Sequence, residues 1–284
     1  MKTINLAFIG GTGFYNIESL KLIDKVSIDT PFGPPSDTIS IVEAESQTIA
    51  FLPRHGIGHN ISPSNLPARA NIYALKTLGI ERLVSINAVG SLSEKIIPQE
   101  AVIPDQLIDR TYLRVNTFFD KSIVAYVSFA NPFCDELSQS LFESSKIHMD
   151  THKGGTMIVI EGPSFSTVAE SRLYQKWGGD IIGMTALPEA KLAREAEICY
   201  TSLALVTDND SWKIDDHVSQ EKVASQLQSN AINGQAIIKS LIPKLISPRN
   251  CDCQNALANT IITKADSVDP SDYQRLKSII SKYV

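Results

Sequence analysis

Two carboxylates at the end of an apolar run are the first residues in this chain whose types and spacing could do chemistry. Leu203-Ala204-Leu205-Val206 leads into Thr207-Asp208-Asn209-Asp210. Residues two apart in an extended segment point the same way, so Asp208 and Asp210 should face one pocket. Such a pair could recognise a purine, hold a divalent cation together with Asp215 and Asp216, or form a solvated acidic loop. Trp212 and Lys213 interrupt the acids and no EF-hand spacing is present, which counts against the cation. Other strand ends carry groups suited to an anion. Gly10-Gly11-Thr12-Gly13 offers backbone N–H groups and a hydroxyl, Arg54-His55 a guanidinium and an imidazole, Asn87-Ala88 an amide, and Thr185 a second hydroxyl. A dinucleotide fingerprint fails at its third glycine, where Asn16 stands.

The elements that must position these groups alternate between strands and helices, the pattern of one α/β layer structure. Strands are expected at Asn5–Ile9, Thr38–Val42, Thr48–Leu52, Arg82–Ile86, Ala101–Ile103, Leu107-Ile108, Met157–Ile160, Ile181-Ile182 and Leu203–Val206. Helical spacing runs through Pro67–Leu78, Asp135–Lys146, Leu187–Cys199 and about Val218–Leu245, with one or two surface helices in the last thirty residues. Thr111–Ser128 is aromatic and irregular, a loop or partner-facing segment. Ligands in such sheets gather at strand ends, so the stretch from Thr156 to Trp212 should hold the substrate.

Composition narrows the function class. The 284 residues carry a formal net charge of −5 and no long Lys/Arg stripe, which argues against nucleic acid as partner. No apolar run approaches the roughly 18 residues of a membrane span, and the N-terminus has no signal-type run, so a cytoplasmic protein is expected. The four cysteines are Cys134, Cys199, Cys251 and Cys253. Cys251-Asp252-Cys253 could be redox-active or bind metal, but no nearby second Cys/His pair completes a zinc site.

A set of motifs carries a resemblance. They are IGGTGFY (Ile9–Tyr15), DTPFGPPSD (Asp29–Asp37), PRHGIGHNISPSNLPARANIYALK (Pro53–Lys76), NAVGSL (Asn87–Leu92), DQLIDRT (Asp105–Thr111), IEGPSFST (Ile160–Thr167), GMTALPEAKLAREAEICY (Gly183–Tyr200) and TDNDSWK (Thr207–Lys213). In this order the chain resembles the methylthioadenosine phosphorylase branch of the trimeric purine nucleoside phosphorylase family. The resemblance implies an α/β catalytic domain over residues 1–250, with a central mixed, strongly twisted sheet flanked by helices. Residues 251–284, with the two close cysteines, would form a helical tail packed on it. It further implies a homotrimer or a hexamer made of two trimers, no metal or organic cofactor, and phosphate as co-substrate. The activity implied is phosphorolysis of S-methyl-5′-thioadenosine to adenine and 5-methylthioribose 1-phosphate.

Carried over position by position, Thr12, Arg54, His55, Asn87, Ala88 and Thr185 resemble the phosphate site. Met184 resembles the wall beneath the ribose and Phe165 the ring stacked on the purine. Ser166, Asp208, Asn209 and Asp210 would meet the purine edge, and Gln220 the 5′ group. Asp208 is the expected acid at purine N7, its pKa raised by burial beside another acid, with Asp210 supporting it or accepting from the 6-amino group. Asn87 follows the broader purine phosphorylase pattern where many animal methylthioadenosine enzymes have Thr. Gln220 and Tyr126 stand where those enzymes place a small apolar residue and a neighbouring subunit's His, which makes the 5′ pocket more polar and brings adenosine into range as a substrate, and beyond it methylthioinosine or inosine. A hydrolase using water would not need Thr12, Arg54, His55 and Thr185 together, and a nucleoside-binding protein would need no proton donor.

Overall fold

The computed structural model describes residues 4–11, 14, 20–44, 47–213, 216 and 218–284. In chain order the elements are β1 Leu6–Gly10, β2 Lys21–Val26, β3 Ile39–Ala44, β4 Gln47–Pro53, α1 Ala68–Thr77, β5 Arg82–Ser91, β6 Ala101–Ile103 and β7 Gln106–Arg110. There follow α2 Asp135–Ser145, β8 Thr151–Lys153, β9 Thr156–Ile160, α3 Val168–Lys176, β10 Ile181–Gly183, α4 Ala186–Glu195, β11 Cys199–Asp208, α5 Gln220–Leu241 and α6 Pro270–Ile280. All strands join one mixed sheet, ordered β2-β3-β4-β1-β5-β10-β9-β7, with β11 on the other edge of β5 and β6 and β8 beyond it.

The central strands are apolar throughout because both faces are covered. Along β1, Ala7 and Ile9 face one core cluster while Leu6 and Phe8 face another; in β4, Ala50 and Leu52 oppose Ile49 and Phe51 in the same way. The first cluster is capped by α1, α4 and α6, the second by α2 and α5. A third, smaller cluster sits where Ile158 and Ile182 meet Tyr174 of α3.

The strand β5 is the irregular member. It is parallel to β11 along its length, but its other edge pairs with β1 only through Ser85 and with antiparallel β10 only from Gly90. Ile86 to Val89 therefore have no strand partner on that edge. The sequence reading ended this strand at Ile86 and took Asn87–Ser91 as its trailing turn. The strand instead continues to Ser91, because β11 extends the ladder after β1 has left.

Another boundary differs, and β2 and α3 were missed. Helix α4 stops at Glu195, not Cys199; Glu197 takes a left-handed backbone (φ 57°) and Cys199 already begins β11. The strand β2 escaped the reading because it is an exposed edge strand of charged and apolar residues, KLIDKV, without a clean period. Helix α3 was also missed, although Thr167 and Glu170 form a reciprocal capping box at its start, a signal legible in the sequence. The segment 111–128 holds no helix, in keeping with its irregular composition. No helix among the described residues is long and apolar enough to cross a membrane.

The C-terminal segment adds Leu257, Leu276, Ile279 and Ile280 to the first core cluster. Leu276 is fully buried. Truncating Leu276 to Ala should lower the unfolding free energy by about 2–5 kcal/mol in a single cooperative transition. An early, separate transition of the tail in urea melts would contradict its inclusion in the core.

Candidate active site

The gap in the sheet is also the cavity. Because β1, β4, β5 and β11 run parallel, their C-terminal ends reach one side, and β10 runs back toward them from the far end of β5. Between the ends of β1 and β10 opens a cavity of about 290 Å³, floored by Ile86–Gly90 of β5. That is near the small end of ligand sites.

At one end of the cavity stand Arg54, His55, Asn87, Ala88 and Thr185. The guanidinium of Arg54 is only 2% exposed. Its Nε donates to Glu189 Oε1 at 2.6 Å, Nη2 to Ser85 Oγ at 2.6 Å, with Glu189 Oε2 and Ile9 O each at 3.2 Å, and Nη1 to Ile86 O at 2.8 Å. Of five N–H bonds, Nε uses one, Nη2 two and Nη1 one, which leaves one on Nη1. The forked face that sequence reasoning gave to an anion is thus turned to Glu189. That acid, 2% exposed on α4, was missed; the signal was a single acid inside the apolar run ALPEAKLA, with a buried arginine needing a partner. Tyr200 Oη also reaches Glu189 Oε2, at 3.2 Å.

Burial, and then the charge of Arg54, push the His55 imidazole down to a pKa of about 4, so it is neutral at pH 7. Its Nδ1 lies 2.8 Å from the carbonyl oxygen of Ile61. A carbonyl only accepts, so Nδ1 carries the hydrogen and Nε2 is left as an acceptor. The carboxamide of Asn87 is fixed in a similar way. Its Oδ1 lies 2.7 Å from the Ser202 hydroxyl and 3.0 Å from that of Ser85, so Nδ2 turns to Thr185 Oγ1 at 2.7 Å. Thr12 lies outside the described residues.

Asp208 and Asp210 line the opposite end. Strand alternation is not what makes them face together. Asp208 Oδ1 accepts from the backbone N–H of Asp210 at 2.8 Å, and Asp210 itself is left-handed (φ 47°), so the chain turns about the Asp208 carboxylate. The fit is close: a Cβ on Gly90 would stand 2.8 Å from Asp208 Oδ1 and 3.3 Å from Asp210 Cβ. Burial raises both carboxyls above the usual range; at Asp208 the Thr207 hydroxyl and the Asp210 N–H offset part of that rise. The direction agrees with the expectation of a rise from burial beside another acid, with burial the larger cause and the neighbouring acid a minor one. Asp210 Oδ2 and the hydroxyls of Ser166 and Ser171 are buried without a well-formed hydrogen bond among the described residues, the two hydroxyls lying near the Asp210 carboxyl; Ser166 and Ser171 themselves do not line the cavity. Asn209 is turned away, with its Nδ2 on Asp216 Oδ2 at 2.8 Å, and Lys222 holds the other oxygen of Asp216. Asp208, Asp210 and Asp216 consequently do not gather as a cation site; Asp215 and His217 lie outside the described residues.

Walls join the two ends. Phe165, 40% exposed, and Pro163 form one side with Met184. Gly162 (φ 67°) makes room for the thioether: a Cβ there would stand 2.5 Å from Met184 Sδ. Arg114 pins this wall. It donates to Glu161 Oε1, to the carbonyls of Ile160 and Glu161, and to those of Met184 and Leu187. Neither Arg114 nor Glu161 was singled out from sequence; an acid directly before Gly-Pro and a lone arginine in an aromatic loop were the available signals. Gln220, Val223 and Leu227, one face of α5, close the far side. Tyr126 is 74% exposed and does not line this cavity.

Known proteins share this frame. The phosphorylase superfamily model matches residues 5–243. An S-methyl-5′-thioadenosine phosphorylase from Synechocystis is 46% identical over 284 residues, covering 98% of this chain and 87% of the relative. The crystal structure of a methylthioadenosine phosphorylase from an antarctic soil metagenomic library superposes with a TM-score of 0.92 at 43% identity, over 98% of this chain and 99% of the other. A variant adenosine/methylthioadenosine phosphorylase from Schistosoma mansoni, in complex with methylthioadenosine, gives 0.86 at 33% identity, over 93% and 100% of the two chains. A sheet gap with Arg54, His55, Asn87 and Thr185 at one end and two buried acids at the other thus sits in a chain that belongs to the phosphorylase superfamily, on its methylthioadenosine phosphorylase branch.

Proposed function

We propose that this chain catalyses phosphorolysis of S-methyl-5′-thioadenosine, giving adenine and 5-methylthioribose 1-phosphate. One observation carries the reading. A single cavity holds a guanidinium, an imidazole, an amide and a hydroxyl suited to an anion at one end and two carboxyls with raised pKa at the other.

In this reading phosphate lies on the β5 gap. The Asn87 amide, the Thr185 hydroxyl, the free Nη1–H of Arg54 and, from outside the described residues, Thr12 bind its oxygens. Neutral His55 accepts from a phosphate O–H at Nε2. Ala88 brings small backbone close to the anion. Phe165 stacks on the purine, and Met184 supports the ribose. As the C1′–N9 bond breaks, positive charge grows on the sugar and negative charge on the purine. Phosphate stabilises the first and then attacks C1′; Asp208 donates its proton to N7 and stabilises the second. Asp210 and Ser166 meet the 6-amino side. The reaction so drawn needs no metal and no organic cofactor. Gln220 stands with Val223 and Leu227, and those two apolar side chains favour a methylthio group over a hydroxyl at the 5′ end.

The active assembly is read as a homotrimer. Tyr112, Leu113 and Tyr126 are 78%, 70% and 74% exposed on the loop that Arg114 fastens to the cavity wall, an apolar surface suited to a neighbouring copy. Light scattering should give three times the chain mass or its double; a monomer mass would contradict this.

Release of the free base, adenine or hypoxanthine, should be measured over methylthioadenosine, adenosine, methylthioinosine and inosine, in phosphate, for the wild type and Asp208→Asn. Methylthioadenosine should have the highest kcat/KM in the wild type. The variant should lose ten- to hundred-fold of the preference for 6-amino over 6-oxo substrates, the effect of about 1–3 kcal/mol for a mismatched buried polar group. An unchanged preference would overturn the role given to Asp208, and no turnover of any nucleoside by the wild type would overturn the function.

A further inference from the structure

The cysteine pair that seemed incomplete in the sequence is completed by the fold. Cys134 stands just before α2, Cys199 opens β11, and Cys251 and Cys253 flank the start of the C-terminal segment. Their four sulfurs all lie within 4.8 Å of one another, and Cys199 Sγ and Cys251 Sγ are 3.2 Å apart. Cys134, Cys199 and Cys253 are buried and Cys251 half-buried. Four thiolates around zinc at Zn–S of about 2.3 Å stand about 3.8 Å from each other at the corners of a tetrahedron. The separations here bracket that value, so closing on an ion takes side-chain movements of a fraction of an ångström.

The surroundings suit the charge such a centre would carry. A zinc tetrathiolate bears −2, and Cys134 and Cys251 stand at the N-cap positions of α2 and of a short 3-10 turn, where the helix dipole favours negative charge. Arg249, its side chain 11% exposed, brings Nη1 to 3.8 Å from Cys199 Sγ. Its Nε is buried and lacks a hydrogen bond among the described residues. The same guanidinium lies 3.9 Å from Glu81 Oε2 and donates to the carbonyls of Glu81 and Glu197, and a tetrathiolate would give it a further counter-charge.

We propose that Cys134, Cys199, Cys251 and Cys253 form a structural zinc site that fastens the C-terminal segment to α2 and β11. Zinc enters as Zn²⁺, four Zn–S bonds form, and the four thiol protons leave to solvent; no electron is transferred. This departs from the expectation of a metal-free protein, but not from the proposed chemistry. Cys199 and Asp208 stand at opposite ends of β11, about 30 Å apart along an extended strand, and no cysteine lines the catalytic cavity. Because the unfolded chain has no such site, zinc binding adds directly to stability.

The test is metal analysis of the full-length protein purified under reducing conditions without chelator. About one zinc per chain is expected, released on titrating the thiols with a mercurial. Cobalt put in its place should give thiolate-to-metal charge-transfer and tetrahedral d–d bands. Chelation of the wild-type protein should lower Tm by several degrees and leave kcat/KM, measured well below Tm, unchanged. Cys253→Ser should lose most of its zinc with the same pattern. Only trace zinc with no cobalt–thiolate band would overturn the proposal. So would an intact mass, without reductant, lighter by the hydrogens lost in disulfide formation, since those sulfurs would then be bonded to each other.

Discussion

One strand has to serve two partners on the same edge, and most of the site follows from that. β1 leaves β5 at Ser85 and β10 joins it at Gly90, so the four residues between them present an unpaired strand edge to a cavity. Unpaired backbone in a sheet interior is costly unless something answers it. Arg54 answers part of it, by donating to Ile86 O from a position pinned by Glu189. Breaking such a buried pair by removing one partner leaves a naked charge and typically costs about 3–5 kcal/mol. The pair is therefore both the plug of the sheet gap and the support for the one N–H that remains free. The same polar cluster reaches Ser85, Tyr200 and, through Ser85, Asn87, so β1, β4, β5, α4 and β11 are held in a common register by hydrogen bonds beneath the anion end.

The two ends of the cavity have opposite electrostatic characters, and burial sets both. Desolvation drives the His55 imidazole to its neutral form and Asp208 toward its protonated form. In both cases burial favours the uncharged form. Burial that favours the protonated carboxyl at one end and the neutral imidazole at the other, beside a single guanidinium N–H, suits the proposed binding of phosphate by directed hydrogen bonds and the proposed proton transfer to the departing base. Proximity of the two acids to each other contributes little. The turn that seats Asp210 against Asp208 matters more, since it buries both against Gly90.

The sequence made the strands, the main helices and the residues of the cavity legible, because apolar runs and small polar strand ends are local signals. It was silent on what joins them. The partner of Arg54 lies 135 positions away on α4, and Arg114 reaches both Glu161 and Met184 across the chain. Pairings of that kind depend on topology, which no period encodes. The cysteines make the same point: Cys251 and Cys253 lack a neighbouring pair in the chain, while β11 and the turn before α2 deliver Cys199 and Cys134 to them. The agreement between strand alternation and the shared facing of Asp208 and Asp210 was reached for another reason, an Asp-centred turn with a left-handed residue.

The central claim is that phosphate, seated on the unpaired edge of β5, is the nucleophile. Turnover of methylthioadenosine in water enriched in heavy oxygen, with ordinary phosphate present, tests it most directly. Mass spectrometry should find methylthioribose 1-phosphate without heavy oxygen, formed in step with adenine, and adenine formation should stop when phosphate is removed. Free methylthioribose in place of the 1-phosphate, formed at an undiminished rate without phosphate, would mean that water attacks and that the anion end has been misread.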